Sequence, residues 1–600
     1  MIVTMRKGFL LTAIILGACN GKFGDPGPER DPEPLGPRPD YGPTVKAKVA
    51  PPPISGGTLH VTSDARFVVA ADPDRDRVSV VDRITQAVSH VAFEAGAEPG
   101  RVVEDGAGAI HVVLRGKGEI ATLDVTAGAS LVRRRAVCPV PRGLAVDGER
   151  LLVACAGGEL VALPLDPARE TTVVTRLKTD LRDVVVTGAA IFVSTFREAS
   201  VYRIAKASSS EPMLVQLPPR KTLGGAMTAA VAWRMRPEGR GVVVVHQVGA
   251  DPSATPISTD AGGYSKGDGS SDPDKNCTGS IVQGAVSHVG ESGGVTFEPA
   301  LPRAVLPVDL AIDDRRIVVV AAGNGKTRKL RQLFHFPVGT FNPCVNGDPI
   351  ADPPGQSVAA AFAQGRLFVQ TREPAAIHVY DMDLTAAPVS ISLAADSRED
   401  TGHTIFHSNS GSFLACASCH PEGGDDGRVW SFAKIGPRRT QSFRGGFLKT
   451  APFHWDGDMP DLRALSEAVL SKRMSGPHLD DPQLGALALW LDAVPALPKP
   501  AVTVGSVDAG AALFTARGCG TCHTGAATTS NATVDVGTGG SFQVPSLRGI
   551  FYRAPLMHDG CAPTLAARFT SDCAGGDKHG RTRGLTEVEI QNFVAYLSTL

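Results

Sequence analysis

The chain has 600 residues, a formal net charge of −1 and 20% charged side chains. That balance excludes the basic footprint of a nucleic-acid binder and the polybasic face that an anionic membrane attracts. The length allows three or four domains, and 66 Gly with 45 Pro demand many turns, so helix is expected in only part of the chain.

Residues 1–19 read as a targeting segment. Met5-Arg6-Lys7 is a short basic region, and Phe9 to Leu16 is an apolar run too short to span a bilayer. Leu16-Gly17-Ala18-Cys19 resembles the bacterial lipobox, which implies that Cys19 is lipidated and anchors the chain to a membrane; an ordinary signal peptide with an incidental Cys is the alternative. Asn20 rather than Asp after that Cys resembles an outer-membrane address. The expected location is the cell envelope, in the periplasm or at the cell surface, as an outer-membrane lipoprotein. Residues 20–54 are rich in Pro, Gly and charge (Asp25-Pro26-Gly27-Pro28, Pro51-Pro52-Pro53), a composition that cannot bury a core of its own. They read as a disordered linker, a stalk.

From 55 to 395 a pair of short apolar runs recurs, each pair split by a turn. Phe67-Val68-Val69-Ala70 is followed by Val78 to Asp82, Ile110 to Val113 by Glu119 to Asp124, Leu151 to Ala154 by Glu159 to Leu163, and Ile191 to Ser194 by Ser200 to Ile204. The first runs begin at 67, 110, 151 and 191, so the period is near 40 residues. Further copies start near Gly241, Arg316 and Arg366, which makes seven. Strand pairs at this period predict propeller blades, with a pair of β-sandwiches as the alternative. The cadence from Phe67 to Asp82 resembles the YVTN-type β-propellers. Between Gly249 and Gly279 the fifth copy carries loop composition, read as either functional or, more plainly, disordered. The histidines of this region (His60, His90, His111, His246, His288, His335 and His378) are scattered and read as structural.

The last third holds the chemistry. Cys416-Ala417-Ser418-Cys419-His420 and Cys519-Gly520-Thr521-Cys522-His523 are both C-x-x-C-H, the attachment signature of c-type haem. Two thiols form thioethers to the porphyrin, and the adjacent His420 or His523 ligates iron. A zinc site would place a second C-x-x-C roughly 15–20 residues away, whereas these motifs begin at 416 and 519. Two covalently bound haem c groups are therefore expected. Of 11 Cys, one assigned to lipid and four to haem leave six: Cys138, Cys155, Cys277, Cys344, Cys561 and Cys573. An even remainder in an oxidising compartment suggests up to three disulfides. Proximity favours Cys138–Cys155 and Cys561–Cys573, leaving Cys277–Cys344; free buried thiols are the alternative for any pair.

This region is an internal repeat, 396–497 against 505–600. Gly402 to Phe406 aligns with Gly510 to Phe514, Ser442-Phe443-Arg444-Gly445 with Ser546-Leu547-Arg548-Gly549, and Ala451 to Gly457 with Ala554 to Gly560. Each copy ends in an amphipathic run, Asp481 to Val494 and Thr586 to Leu597. The paired motifs, Arg438 to Phe443, His454-Trp455-Asp456-Gly457, Val544 to Arg548 and Met557-His558-Asp559-Gly560 resemble the diheme cytochrome c peroxidase / MauG superfamily. The resemblance implies two mainly α cytochrome-c-like domains face to face, with Trp455 between the haems as an electron relay; a core aromatic is the plain alternative. It also implies His579 as the distal ligand of the second haem, with Met557 and His558 as fallbacks. The repeat places Met474 correspondingly at the first haem, a position the peroxidases do not use. Two departures stand out. Arg473 occupies the place of an acidic residue, and Ile435-Gly436-Pro437 that of a loop histidine. An Arg cannot shuttle protons near neutral pH; Glu467 is the carboxylate that could substitute, or it solvates a helix.

The resulting expectation is a multidomain protein, an all-β seven-bladed propeller followed by two cytochrome c domains. It is an exported diheme cytochrome with peroxidase-like oxidoreductase activity, in which haem 2 relays electrons through Trp455 to haem 1. A small cytochrome or cupredoxin is the expected redox partner. The alternative is a non-catalytic electron-transfer or sensor lipoprotein whose propeller binds a partner.

Overall fold

A computed structural model describes residues 31–600 apart from 207–210, 223–224, 254–255, 266–278, 328, 341–343, 346, 382 and 571. The targeting segment with Cys19, and Cys277, lie outside the described residues.

Residues 59–392 form seven antiparallel sheets, each built from consecutive strands. The runs read from the sequence are the second strand of six blades, Phe67–Asp72, Ile110–Leu114, Arg150–Cys155, Ala190–Thr195, Arg316–Ala321 and Arg366–Arg372, and the third strand of the five-stranded blade 5, Gly241–Ala250. They are almost wholly buried because blades pack on both of their faces, which is why they read as unbroken apolar runs rather than alternating ones. The innermost strands, from Leu59–Val61 in blade 1 to Ser357–Ala363 in blade 7, surround the axis, and the first packs against the last. The ring therefore closes by packing, without exchanging a strand.

Two blades depart from the pattern. Blade 6 has three strands. Blade 5 is tall: Gly225–Glu238 runs for 14 residues and Gly241–Ala250 for 10. Its upper end reaches the haem region, where Arg428 donates to the carbonyls of Gly249 and Ala250 and to Thr228 Oγ1.

The two copies of the repeat follow. In each, a first helix crosses a last one, Thr401–His407 against Asp481–Ala493 and Val507–Ala516 against Glu587–Leu597. Gly402 and Gly510, aligned in the repeat, sit at these crossings. A Cβ on Gly402 would lie 2.3 Å from Ala486 O, and one on Gly510 2.0 Å from Asn592 O. Each last helix starts at a capping box, Asp480 with Gln483 and Thr586 with Glu589. Trp490, on the first of them, is buried in packing and donates to Pro51 O at 2.9 Å.

Residues 31–54 correct the expectation of a disordered linker. They form an extended strap across the first copy of the repeat. Gly36 N donates to Gly411 O, Thr401 N to Val45 O, and Ile54 N to His407 Nε2. Proline-rich chain cannot build a core, but its fixed φ suits an extended segment laid on one.

Two expected disulfides are present, Cys138–Cys155 and Cys561–Cys573. Cys344 is also disulfide-bonded. Among the described residues the free cysteines are Cys416, Cys419, Cys519 and Cys522, the four of the two motifs.

Candidate haem sites

Each motif opens on its own cavity. The first, of about 1350 Å³, is lined by Cys416, Cys419, His420, Arg438, Arg473 and Met474 among others; the second, of about 1370 Å³, by Cys519, Cys522, His523, Arg553, Arg568 and His579.

The proximal histidines are held alike. His420 donates from Nδ1 to Gly424 O and His523 from Nδ1 to Thr528 O, each at 3.3 Å. That tautomer leaves Nε2 with its lone pair. Burial lowers both imidazoles to about 4, so they stay neutral, as a metal ligand must. Phe443 packs against His420 with ring centroids 4.4 Å apart.

In the second cavity His579 faces His523 with ring centroids 6.4 Å apart. An ion held between two imidazole nitrogens at about 2.0 Å each needs close to this separation. Burial lowers His579 to about 3, so it too is neutral. His558, a fallback, instead stacks on Phe542 at 4.0 Å. In the first cavity Met474 is 3% exposed and follows the π-helical segment Ser466–Arg473. Its carbonyl accepts from Ser410 Oγ at 2.9 Å.

Three buried donors in these walls, Arg439 Nε, Arg553 Nε and Arg568 Nη1, have no acceptor among the described residues. Buried N–H groups left unpaired are uncommon, and the propionates of a haem would supply the missing acceptors. Free thiols, neutral imidazoles and guanidinium donors in the cavity walls all fit haem c.

Trp455 and Arg439 line both cavities. The indole donates to Arg439 O at 2.7 Å and meets His558 edge-on at 6.3 Å. Trp455 and His558 are aligned in the repeat, so the two copies meet through equivalent positions. The loops carrying them match in detail: each has a cis proline (Pro452, Pro555) and a positive φ two residues further on, 65° at His454 and 74° at Met557.

Glu467 is absent from the first cavity and accepts instead from His478 Nδ1 at 2.6 Å, so it solvates its helix. Tyr264 is the residue that sequence reasoning missed. It comes from the blade-5 insertion and lines the first cavity, where Arg473 Nη1 donates to its hydroxyl at 3.3 Å. Main-chain bonds fix the insertion here: Gly262 N to Lys472 O and Tyr264 N to Arg473 O. The one signal was a tyrosine, scarce in this chain, within a Gly-rich insertion.

Residues 507–600 match the family model for cytochrome c. That match implies a covalently bound haem c in the second of the two domains. No curated relative matches the chain. Among solved structures, a chain of Kuenenia stuttgartiensis hydrazine synthase is 15% identical, with a TM-score of 0.42, covering 57% of this chain and 99% of that one. A second hydrazine synthase chain from the same organism, in a structure pressurised with xenon, is 24% identical, with a TM-score of 0.28 over 31% of this chain and 81% of that one. Virginiamycin B lyase from Staphylococcus aureus is 10% identical, with a TM-score of 0.38 over 55% and 95%. At such TM-scores these likenesses carry no argument about chemistry. The protein is a seven-bladed propeller followed by helical cytochrome c architecture.

Proposed function

We propose that this protein is a diheme c-type cytochrome whose two sites exchange electrons through Trp455, with peroxidase-like oxidoreductase chemistry at the first site. The observation that carries the reading is the shared wall: one indole lines both cavities. A haem bound in each cavity supplies one-electron chemistry to it. The chain's own residues do the rest. Cys416 and Cys419, and Cys519 and Cys522, attach the two groups. His420 would ligate the iron of the first group and His523 that of the second, with His579, across the second cavity from His523, as its further ligand. Trp455 offers the aromatic route between cavities, oriented by the bond from its indole N–H to Arg439 O. Arg438, paired with Asp456 at 2.7 Å, stiffens the loop that carries it. Arg473 and Tyr264 present N–H and O–H donors in the first cavity, where a small oxygen-bearing substrate would need them.

Met474 favours a second reading. Buried in the first cavity at the position equivalent to His579, it could complete that site's ligand set, making the protein an electron carrier or sensor and not an enzyme. Export fits either reading, since the disulfides Cys138–Cys155 and Cys561–Cys573 persist in oxidising compartments. An anchor at Cys19 and a small cytochrome or cupredoxin as partner remain part of the proposal.

The relay is tested by rapid mixing. Peroxide is added to half-reduced protein, and oxidation of a donor cytochrome is followed in wild type and Trp455→Phe. The variant is expected to keep both haem spectra and to turn over at least tenfold more slowly. An unchanged rate would contradict the relay.

A further inference from the structure

The peptide that carries the first motif is gripped by the propeller, and the second is not. Immediately after His420 the chain turns through Pro421–Asp425 onto the propeller's end. Glu422, 3% exposed, accepts from Arg115 Nη2 and from Arg182 Nη1, each at 2.6 Å. Arg115 follows the second strand of blade 2, and Arg182 lies on the first strand of blade 4. Asp425 accepts from Arg197 of blade 4 at 2.9 Å and from Arg439 at 2.7 Å. Between these two carboxylates lies Gly424, whose carbonyl takes the Nδ1–H of His420. From blade 5, Gln247 Nε2 donates to Ser418 O, inside the motif, at 2.7 Å. Among the described residues no propeller side chain hydrogen-bonds the second motif or its following loop, 519–530.

Glu422 adopts φ 54°, a left-handed conformation unusual for a residue with a side chain. Such a conformation persists where surroundings over-determine it, and here two arginines from different blades do so. The group that accepts from a ligating histidine orients that histidine and sets its basicity. Five guanidinium groups, of Arg115, Arg142, Arg182, Arg197 and Arg439, hydrogen-bond three carboxylates, of Glu422, Asp425 and Asp180, and leave a positive surplus beside the loop that carries His420. A buried cation stabilises the reduced, less positive state of a nearby redox centre.

We infer that Arg115, Arg182 and Arg197 make the propeller the proximal wall of the first haem site, where they position the loop behind His420 and raise the midpoint potential of that haem. The inference rests on reading Cys416–His420 as a haem site. It gives this face of the propeller a role inside the redox unit, distinct from capture of an outside partner.

The test is a spectroelectrochemical titration of the full-length two-haem protein, with the second haem as internal control. Arg182→Gln and Arg115→Gln are each expected to lower the potential of the first haem, shifting its ferric-to-ferrous ratio at fixed poise at least tenfold, or 59 mV for one electron. Glu422→Gln should shift it the opposite way, and Arg182→Lys, which keeps the charge, should lie near wild type. The two arginines sit on different blades, so a variant that fails to fold leaves the other decisive. An unchanged first haem, or equal shifts of both haems, would overturn the inference. Mass analysis separates this from failure at the underlying site: a protein with no haem on Cys416 and Cys419 overturns both, whereas two attached haems with no shift overturns the inference alone.

Discussion

At the residue scale the second cavity makes the sharpest claim. Two neutral imidazoles 6.4 Å apart at their centroids are spaced for one ion between them. His579→Ala is expected to convert the low-spin signal of the second haem to high-spin by electron paramagnetic resonance, with both haems still attached; an unchanged low-spin signal would show that another side chain closes the site. The two motifs were legible because thioether attachment and ligation require Cys, Cys and His adjacent in sequence. The place of His579 across the cavity from His523 was legible only through the repeat and the family pattern. Tyr264 was not legible. It meets Arg473 across 209 positions of sequence, and no local pattern encodes such a meeting.

At the element scale, composition sets what a segment cannot do, and packing decides what it does. The strap over 31–54 lacks the apolar residues for a core, yet its backbone groups find partners on the first copy of the repeat. The blade-5 insertion reads as loop, and its described part is one, pinned against the segment that carries Met474. The Cys561–Cys573 link closes a short loop in the second domain, over a sequence separation of 12. Loop-closure entropy puts its worth at about 3 kcal/mol. Replacing both cysteines by serine is expected to lower the urea midpoint of that domain correspondingly, with the propeller's own transition unmoved. A common shift of both transitions would instead mean that the domains unfold as one unit.

At the scale of the whole molecule, seven blades were readable from a period near 40, because each blade repeats the same buried strand pair. The docking of propeller on cytochrome domain was not. It is made by Arg115, Arg182, Arg197 and Arg428, which in sequence resemble ordinary strand-end charges. Buried neutral histidines add a pH dependence. Burial lowers His246 and His407 to about 3, whereas an unfolded histidine titrates near 6.5. The unfolded chain thus binds more protons between these values, and stability falls as pH drops below about 6.5, by roughly 1.4 kcal/mol per unit for each such histidine. The urea midpoint is expected to be lower at pH 5 than at pH 7; a flat profile would contradict the burial of these rings as neutral groups.

The central proposal is that this protein holds two haems with different roles. Electron paramagnetic resonance of the purified protein, recorded with and without peroxide, tests it most directly. The account predicts two haem signals, one low-spin from the His523–His579 site and untouched by peroxide, the other at the His420 site and changed by it. Two low-spin signals that both ignore peroxide would contradict the enzymatic reading and leave an electron carrier with Met474 as its sixth ligand.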